Sequence, residues 1–381
     1  MSERHYLDHA STSPCRPEVV AAMTPWLGVA GDPGRIHHEG QVVRSAIEQA
    51  RSSVAELLGA RSREVVFTSG ATESCVTATW MATQRGPHVV VNAGEHSCVR
   101  ESAARHEVSV VGLDGLGRVS PDAVMDAVRD DTALVHVQWG NHEVATLQPV
   151  GEIVARCRDR GVLTHVDAAA AAGRVPIDFG ALGADLLSVS AHKMGGPPGI
   201  GALLVRRGLR LRPLLVGGSQ ERARRAGYEN VPAIMGFGEL ARLLNNGALV
   251  DEATRAERLI GLVVAAASSG ALGPGVELLG DPRPGGRLPH LVCLALSGVE
   301  AEPVLLGLDQ SGVAVHSGSS CSSELLEPSP VLEAMGVDAS RSLRISVGWS
   351  SDQGDIDAFC RALPSVLERL RDLRSGGRRP S

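Results

Sequence analysis

The sequence predicts an α/β fold: a large domain built on a mostly parallel seven-stranded sheet, with a smaller α+β domain beside it. Three observations predict it. Short apolar runs alternate with helical patterns from about Val65 to Val205, the rhythm of a parallel sheet covered by helices on both faces. After about Val250 that rhythm gives way to a mixed pattern of helices and strands. The length, 381 residues, exceeds what one small core needs and suits one large and one smaller domain.

The elements follow in order. Glu64-Val65-Val66-Phe67-Thr68 is rich in β-branched and aromatic residues and is bounded by a Ser-Gly turn, so it reads as a strand, with a helix opening at Ala71. His88 to Asn92 is the next strand and precedes a helix from Ser97. Val108 to Val111 leads through a Gly/Asp turn to a helix after Pro121. Ala133 to Val137 and Val162 to Val166 are strands separated by a helix near Gly151 to Arg160. Ser188 to Ser190 and Gly201 to Val205 complete the seven. Beyond Val250 come a helix carrying Leu259, Ile260, Leu262 and Val263, a Gly/Pro-rich stretch, and a strand from Leu291 to Leu296. A helix near Glu302 to Gln310, a strand from Leu343 to Val347 and a helix from Asp355 to about Leu370 follow. This assigns residues 12–250 to the large domain and residues 1–11 and 251–374 to the small one. Residues 375–381 read as a disordered polar tail.

Composition narrows the class of function. The net charge is −6 and the arginine clusters are short, so no broad basic surface for nucleic acid is implied. Seven widely spaced cysteines without a Cys-x-x-Cys form neither a disulfide framework nor a zinc site, and no metal is expected. No apolar run is long enough for a bilayer, and Met1 to His5 leads into structure without a signal-peptide stretch. The expectation is a soluble cytoplasmic enzyme.

The strand ends carry the chemistry. His165-Val166-Asp167 ends one apolar strand, and Ser190-Ala191-His192-Lys193 follows another, in a chain where lysine is very scarce beside arginine. A lysine so placed can form a Schiff base with pyridoxal 5′-phosphate, and an aspartate at the neighbouring strand end can keep the pyridine nitrogen protonated. Asp167 read alone is a helix cap. Gly70, Ala71 and Thr72 form a turn into a helix start, a ready anion site; alone it is an ordinary capped helix, but with Ser190 and His192 it becomes a phosphate cradle. His96 sits at a strand-to-helix turn and can stack on the cofactor ring and move protons, whereas a lone loop histidine is usually surface. Cys321 lies in the Ser/Gly-rich loop Ser317 to Ser323, the setting of a nucleophile rather than of a core thiol. The other six cysteines read as structural, with Cys75 and Cys98 placed near the site by neighbourhood alone. Arg344, inside an apolar strand, needs a partner, which is either a substrate carboxylate or a structural salt bridge.

These residues together resemble the cysteine desulfurases of the NifS/IscS type, within the class-V aminotransferases and the fold-type I pyridoxal phosphate enzymes. The motifs carrying the resemblance are Thr68 to Ser74, Glu95-His96, His165 to Ala168, Ser190 to Lys193, Gly195 to Gly201, Gly217 to Gly227 and the Cys321 loop. The resemblance implies that Lys193 anchors the cofactor and moves the substrate α-proton, and that Arg344 and Asn141 bind the substrate L-cysteine. It implies that Cys321 takes the sulfur as a persulfide, leaving alanine, and hands it to an acceptor protein. It further implies a homodimer, with residues near Arg225 to Asn230 reaching the partner's site.

Several positions depart from the family pattern. His142 replaces the second Asn of Asn-Asn-Glu, Ala170 replaces a Gln after Asp167, and Tyr228 replaces a Thr after Gly227. The expectation is that His142 supplies the missing hydrogen bonds to the cofactor's 3′-oxygen and that the Tyr228 hydroxyl replaces the Thr at the phosphate. The altered pocket leaves two other readings open. One is a pyridoxal phosphate lyase cleaving a carbon–sulfur or carbon–selenium bond in another substrate. The other is a non-catalytic dimeric sulfur-relay scaffold.

Overall fold

The computed structural model describes residues 4–210, 212–283, 285–317 and 329–376. Its twelve strands are β1 (His5–Tyr6), β2 (Val65–Thr68), β3 (His88–Asn92), β4 (Glu107–Val111), β5 (Thr132–Gln138), β6 (Leu163–Asp167), β7 (Leu186–Ser190), β8 (Gly201–Val205), β9 (Val276–Leu279), β10 (Leu291–Leu296), β11 (Val313–Ala314) and β12 (Ser342–Ser346). Seven of them form one sheet in the order β2-β8-β7-β6-β5-β3-β4. The five strands from β7 to β4 run parallel, and β8 runs antiparallel to both of its neighbours.

Except at the exposed edge strand β4, both faces of this sheet are buried, which is why its inner strands are continuous apolar runs rather than alternating ones. Alternate residues feed two cores. Val65, Phe67, Leu187, Val189 and Leu204 pack on one side with helices His38–Leu57 and Val231–Leu243. Val66, Leu186, Leu203 and Val205 pack on the other with helices Ala71–Ala82 and Ser97–Ala103.

A separate core collects Leu7, β10, β12 and the helices Leu249–Ser268, Ala301–Gln310 and Gln353–Gly376 around the antiparallel sheet β12-β10-β9. The N-terminal strand β1 pairs in parallel with β11, and Asp8 bridges to Ser346, so the start of the chain is stitched to this second core. The last helix runs to Gly376, past the end near Leu370 expected from the sequence, and so takes in the first two residues assigned to the tail. Its final turns are held from the side: Arg371 donates to the carbonyl of Pro274 at 2.7 Å and Arg374 to that of Gly298. Residues 377–381 lie outside the described residues.

Candidate active site

The carboxyl ends of β5, β6 and β7 open into a cavity of about 480 Å³, the usual position for a ligand in a sheet of this kind. Ser69, Gly70, Ala71 and Thr72 close one end of it, Asp167 and Lys193 lie along it, and His96, His142, Ser190, His192 and Arg344 complete the wall. Ten of the candidate site residues read from the sequence thus face one space, with Asp167 bound into the strand pair Asp167↔Ser188.

The end of the cavity at Gly70 is built from backbone. Helix Ala71–Ala82 starts at Gly70 with no side chain capping it, so its first N–H groups point into the cavity unspent. Glu73 instead turns back, accepting the N–H of Ser69 at 2.8 Å, and pairs with Arg225 at 3.0 Å. A methyl group on Gly201 would come within 2.7 Å of the Gly70 Cα, so β8 can press against this turn only because it begins with glycine.

Lys193 lies in the short 3₁₀ helix Ala191–Met194 after β7. Its carbonyl accepts from Ser13 Oγ at 3.1 Å and from Arg174 at 2.8 Å, which fixes its backbone. It is the only lysine in the chain. His192 pairs with Thr12 through Nδ1 at 3.1 Å; burial and then the Lys193 charge push it down to about 4, so it is neutral at pH 7.

His96 and His142 face each other across the cavity with ring centroids 5.3 Å apart. His96 Nδ1 accepts the N–H of Cys98 at 3.2 Å and lies 3.1 Å from its sulfur. Arg344, 1% exposed, sends Nη1 to the carbonyl of His142 at 3.0 Å and Nη2 to Ser11 Oγ at 2.7 Å and Asp8 Oδ1 at 3.0 Å. Its Nε has no hydrogen-bond partner. Arg344 is thus ion-paired with Asp8 and also part of the cavity wall.

Two expected site residues stand elsewhere. Asn141 is fully buried and does not line the cavity; its Oδ1 accepts the N–H groups of Glu143 and Val144, both at 2.8 Å, and so shapes the turn that presents His142. Tyr228 is exposed, lies outside this cavity, and donates its hydroxyl to the carbonyl of Gly31 at 2.9 Å. Cys321 lies outside the described residues.

Two further residues line the cavity, Gln138, which the sequence did not single out, and Cys98, which it placed nearby only by neighbourhood. Gln138 ends β5 opposite Asp167; its Oε1 accepts from Asn141 at 3.4 Å, while its buried Nε2 has no hydrogen-bond partner. That amide occupies space that a side chain on Gly94 would fill. Its signal in the sequence was position alone, the last residue of a strand beside the Asp167 strand. Cys98, taken as structural, is the one cysteine lining the cavity among the described residues. No cluster of His, Cys, Asp or Glu among the described residues could hold a metal ion.

A fold-type I architecture with a lysine, an aspartate and an open helix start around one cavity defines a class of enzymes, and comparison places the chain within it. The pattern of the aminotransferase class-V family matches residues 5–359, and the chain belongs to that family. It is 37% identical over 386 residues to a cysteine desulfurase IscS of Dictyoglomus turgidum, covering 98% of this chain and 97% of the relative. Its fold is similar to that of a NifS-like protein from Rickettsia africae, at a TM-score of 0.87 and 27% identity, covering 96% of this chain and 100% of the other. It is also similar to SspA in complex with cysteine, at a TM-score of 0.77 and 27% identity, over 90% of this chain and 98% of the other.

Proposed function

We propose that this protein is a pyridoxal phosphate-dependent cysteine desulfurase, converting L-cysteine to L-alanine and passing the sulfur onward from Cys321. The observation that carries the reading is Lys193. In a chain that otherwise uses arginine for its long cationic side chains, the single lysine stands in the cavity with Asp167 and the open helix start. Arginine does not form a Schiff base with an aldehyde, so this is a position where the substitution would abolish the chemistry. Relatives named as cysteine desulfurases over nearly the whole chain, and a similar structure solved with cysteine, support the choice of substrate.

The residues present fit the cofactor. The uncapped helix start with Ser190 and His192 suits a phosphate, Asp167 suits a pyridinium nitrogen, and the unpartnered amide of Gln138 offers a donor from the wall. Pyridoxal phosphate, when bound, supplies an electron sink for the α-carbon of an amino acid. Lys193 then holds and moves the α-proton, and His96 stands where a second proton can be exchanged. The Arg344 guanidinium, fixed by Asp8 and Ser11, faces the cavity as a carboxylate site. The Cys321 thiolate attacks the substrate sulfur, the carbon–sulfur bond breaks, and the sulfur remains on Cys321 as a persulfide for an acceptor protein.

The same reading implies a homodimer, in which the exposed Tyr228 is available to the second subunit, and a reducing cytoplasm that keeps the thiols free. Among the described residues no helix is long and apolar enough to cross a membrane.

The test is turnover of L-cysteine by the reconstituted protein with a thiol reductant. Alanine and sulfide should appear in step. Cys321→Ala should reduce both by at least about a hundredfold. Borohydride should fix the cofactor's mass to the wild type and not to Lys193→Ala. Sulfide release undiminished in Cys321→Ala would replace the desulfurase with a simple lyase.

A further inference from the structure

One residue layer below the cavity, a chain of buried polar side chains runs sideways through the large domain. Between β5 and β6, His136 pairs with His165 and Gln138 with Asp167, while Asp167 pairs with Ser188 of β7. Alternate residues of a strand share a face, so His136 and His165 lie directly below Gln138 and Asp167 on the same side of the sheet. Their Nδ1 atoms are 2.8 Å apart. His165 Nε2 lies 2.7 Å from Ser188 Oγ, and His136 Nε2 lies 3.2 Å from Thr79 Oγ1. Thr79 Oγ1 is in turn 2.9 Å from Ser102 Oγ. These five side chains are all buried, and none lines the cavity. Burial pushes His136 down to about 3 and His165 well below the usual histidine value, so both rings are neutral.

Two neutral rings that meet through Nδ1 hold one proton between them, and the ends of the chain decide which ring carries it. At the helix end the hydroxyls have carbonyls to donate to: Thr79 to that of Cys75 at 3.1 Å and Ser102 to that of Val99 at 2.9 Å. With its proton spent there, Thr79 Oγ1 is an acceptor toward His136, which must donate from Nε2. His136 Nδ1 then accepts, His165 donates from Nδ1, and His165 Nε2 accepts the proton of Ser188. We propose that His136 and His165 are positioning residues of the active site, which draw the Ser188 proton away from Asp167 and so keep that carboxylate for the cavity. A hydroxyl has one proton to give, and Ser188, the neighbour of Asp167 across the strand pair, gives it to His165. Asp167 accepts the N–H of Ala169 through Oδ1 at 2.9 Å and keeps its remaining capacity for a donor in the cavity. This deepens the proposed function and rests on it for the pyridinium nitrogen as that donor.

NMR of the full-length protein, isotope-labelled at its histidine nitrogens, reads which ring atoms carry protons at neutral pH. The expected pattern is Nε2–H alone on His136 and Nδ1–H alone on His165. Thr79→Val keeps the shape of the side chain and removes the acceptor of His136, so it should reverse both tautomers. It should also weaken retention of pyridoxal phosphate about tenfold and move the bound cofactor's visible absorbance. Thr79→Ser should restore all three. The opposite tautomers in the wild type, or a doubly protonated ring, would overturn the proposal. So would a Thr79→Val protein whose tautomers are unmoved, or one whose tautomers reverse while the cofactor's retention and absorbance stay the same. The wild-type spectrum decides the direction of the chain even if Thr79→Val fails to fold. It reads proton positions rather than turnover, so a wild type with the expected tautomers that takes up no pyridoxal phosphate would sink the proposed function alone.

Discussion

Asp8 and Arg344 come from opposite ends of the chain and meet in the wall of the cavity, carboxylate Oδ1 to guanidinium Nη2 at 3.0 Å. Asp8 follows the short strand β1, and Arg344 sits in the middle of β12. Arg344 is fully buried and Asp8 partly so, and loss of the carboxylate leaves the buried guanidinium charge poorly compensated. Asp8→Asn should loosen the guanidinium and raise KM for L-cysteine about tenfold, for a loss of about 1.4 kcal/mol, while kcat changes much less. Steady-state kinetics separate the two parameters. A fall in kcat with KM unmoved would argue against Arg344 as the carboxylate site.

Gln138 and His142 both line the cavity, and the proposed function gives them the place of the Asn and Gln missing at 142 and 170. Their hydrogen bonds set the electronics of whatever oxygen they reach. Gln138→Leu and His142→Ala should each move the pH midpoint of the bound cofactor's visible absorbance by about half a unit or more. The measurement is a spectrophotometric titration of the holoenzyme without substrate. An unchanged midpoint in both variants would leave the lost donors without a replacement.

Glu95 is buried at 2% exposure, with Oε1 accepting the N–H of Gln138 at 2.8 Å and Oε2 lacking a partner. Burial, and then the charge of Asp167, push it up to about 8. A folded value above the unfolded one means that its contribution to stability is complete below about pH 4.3 and is lost as pH rises through about 8. Glu95→Gln keeps the shape and removes the titration. The melting temperature of the wild type should therefore fall relative to the variant between about pH 5 and about pH 8.5, by a few degrees. A constant difference across that range would show that Glu95 does not take up a proton on folding.

The seven strands of the large sheet were legible because each is short, apolar and punctuated by a turn, and because the strand ends carry residues that interior packing would exclude. The reversal of β8 was not. Gly201 to Val205 has the same apolar character as its parallel neighbours, and direction leaves no trace in a run buried on both faces. Asn141 shows a related limit: an Asn after a strand suits a ligand contact and a turn equally well, and only the structure shows its Oδ1 accepting the Glu143 and Val144 amides. Cys98 was placed near the site by its neighbourhood in the chain alone, because nothing in Ser97 to Val99 shows that its sulfur comes to 3.1 Å from His96 Nδ1.

The antiparallel course of β8 has a consequence for the lysine. Ser190, the last residue of β7, is paired with Gly201, the first of β8, so the segment carrying Lys193 is a closed loop whose two ends are clamped to each other. The Ala191 N–H donates to the carbonyl of Ile200 at 3.2 Å and the Gly196 N–H to that of Ala191 at 3.0 Å, tightening it from within. A tethered main chain cannot follow a substrate. What remains to Lys193 is the swing of its own aliphatic stem, a short arm on a fixed pivot whose loss of freedom was largely settled when the protein folded.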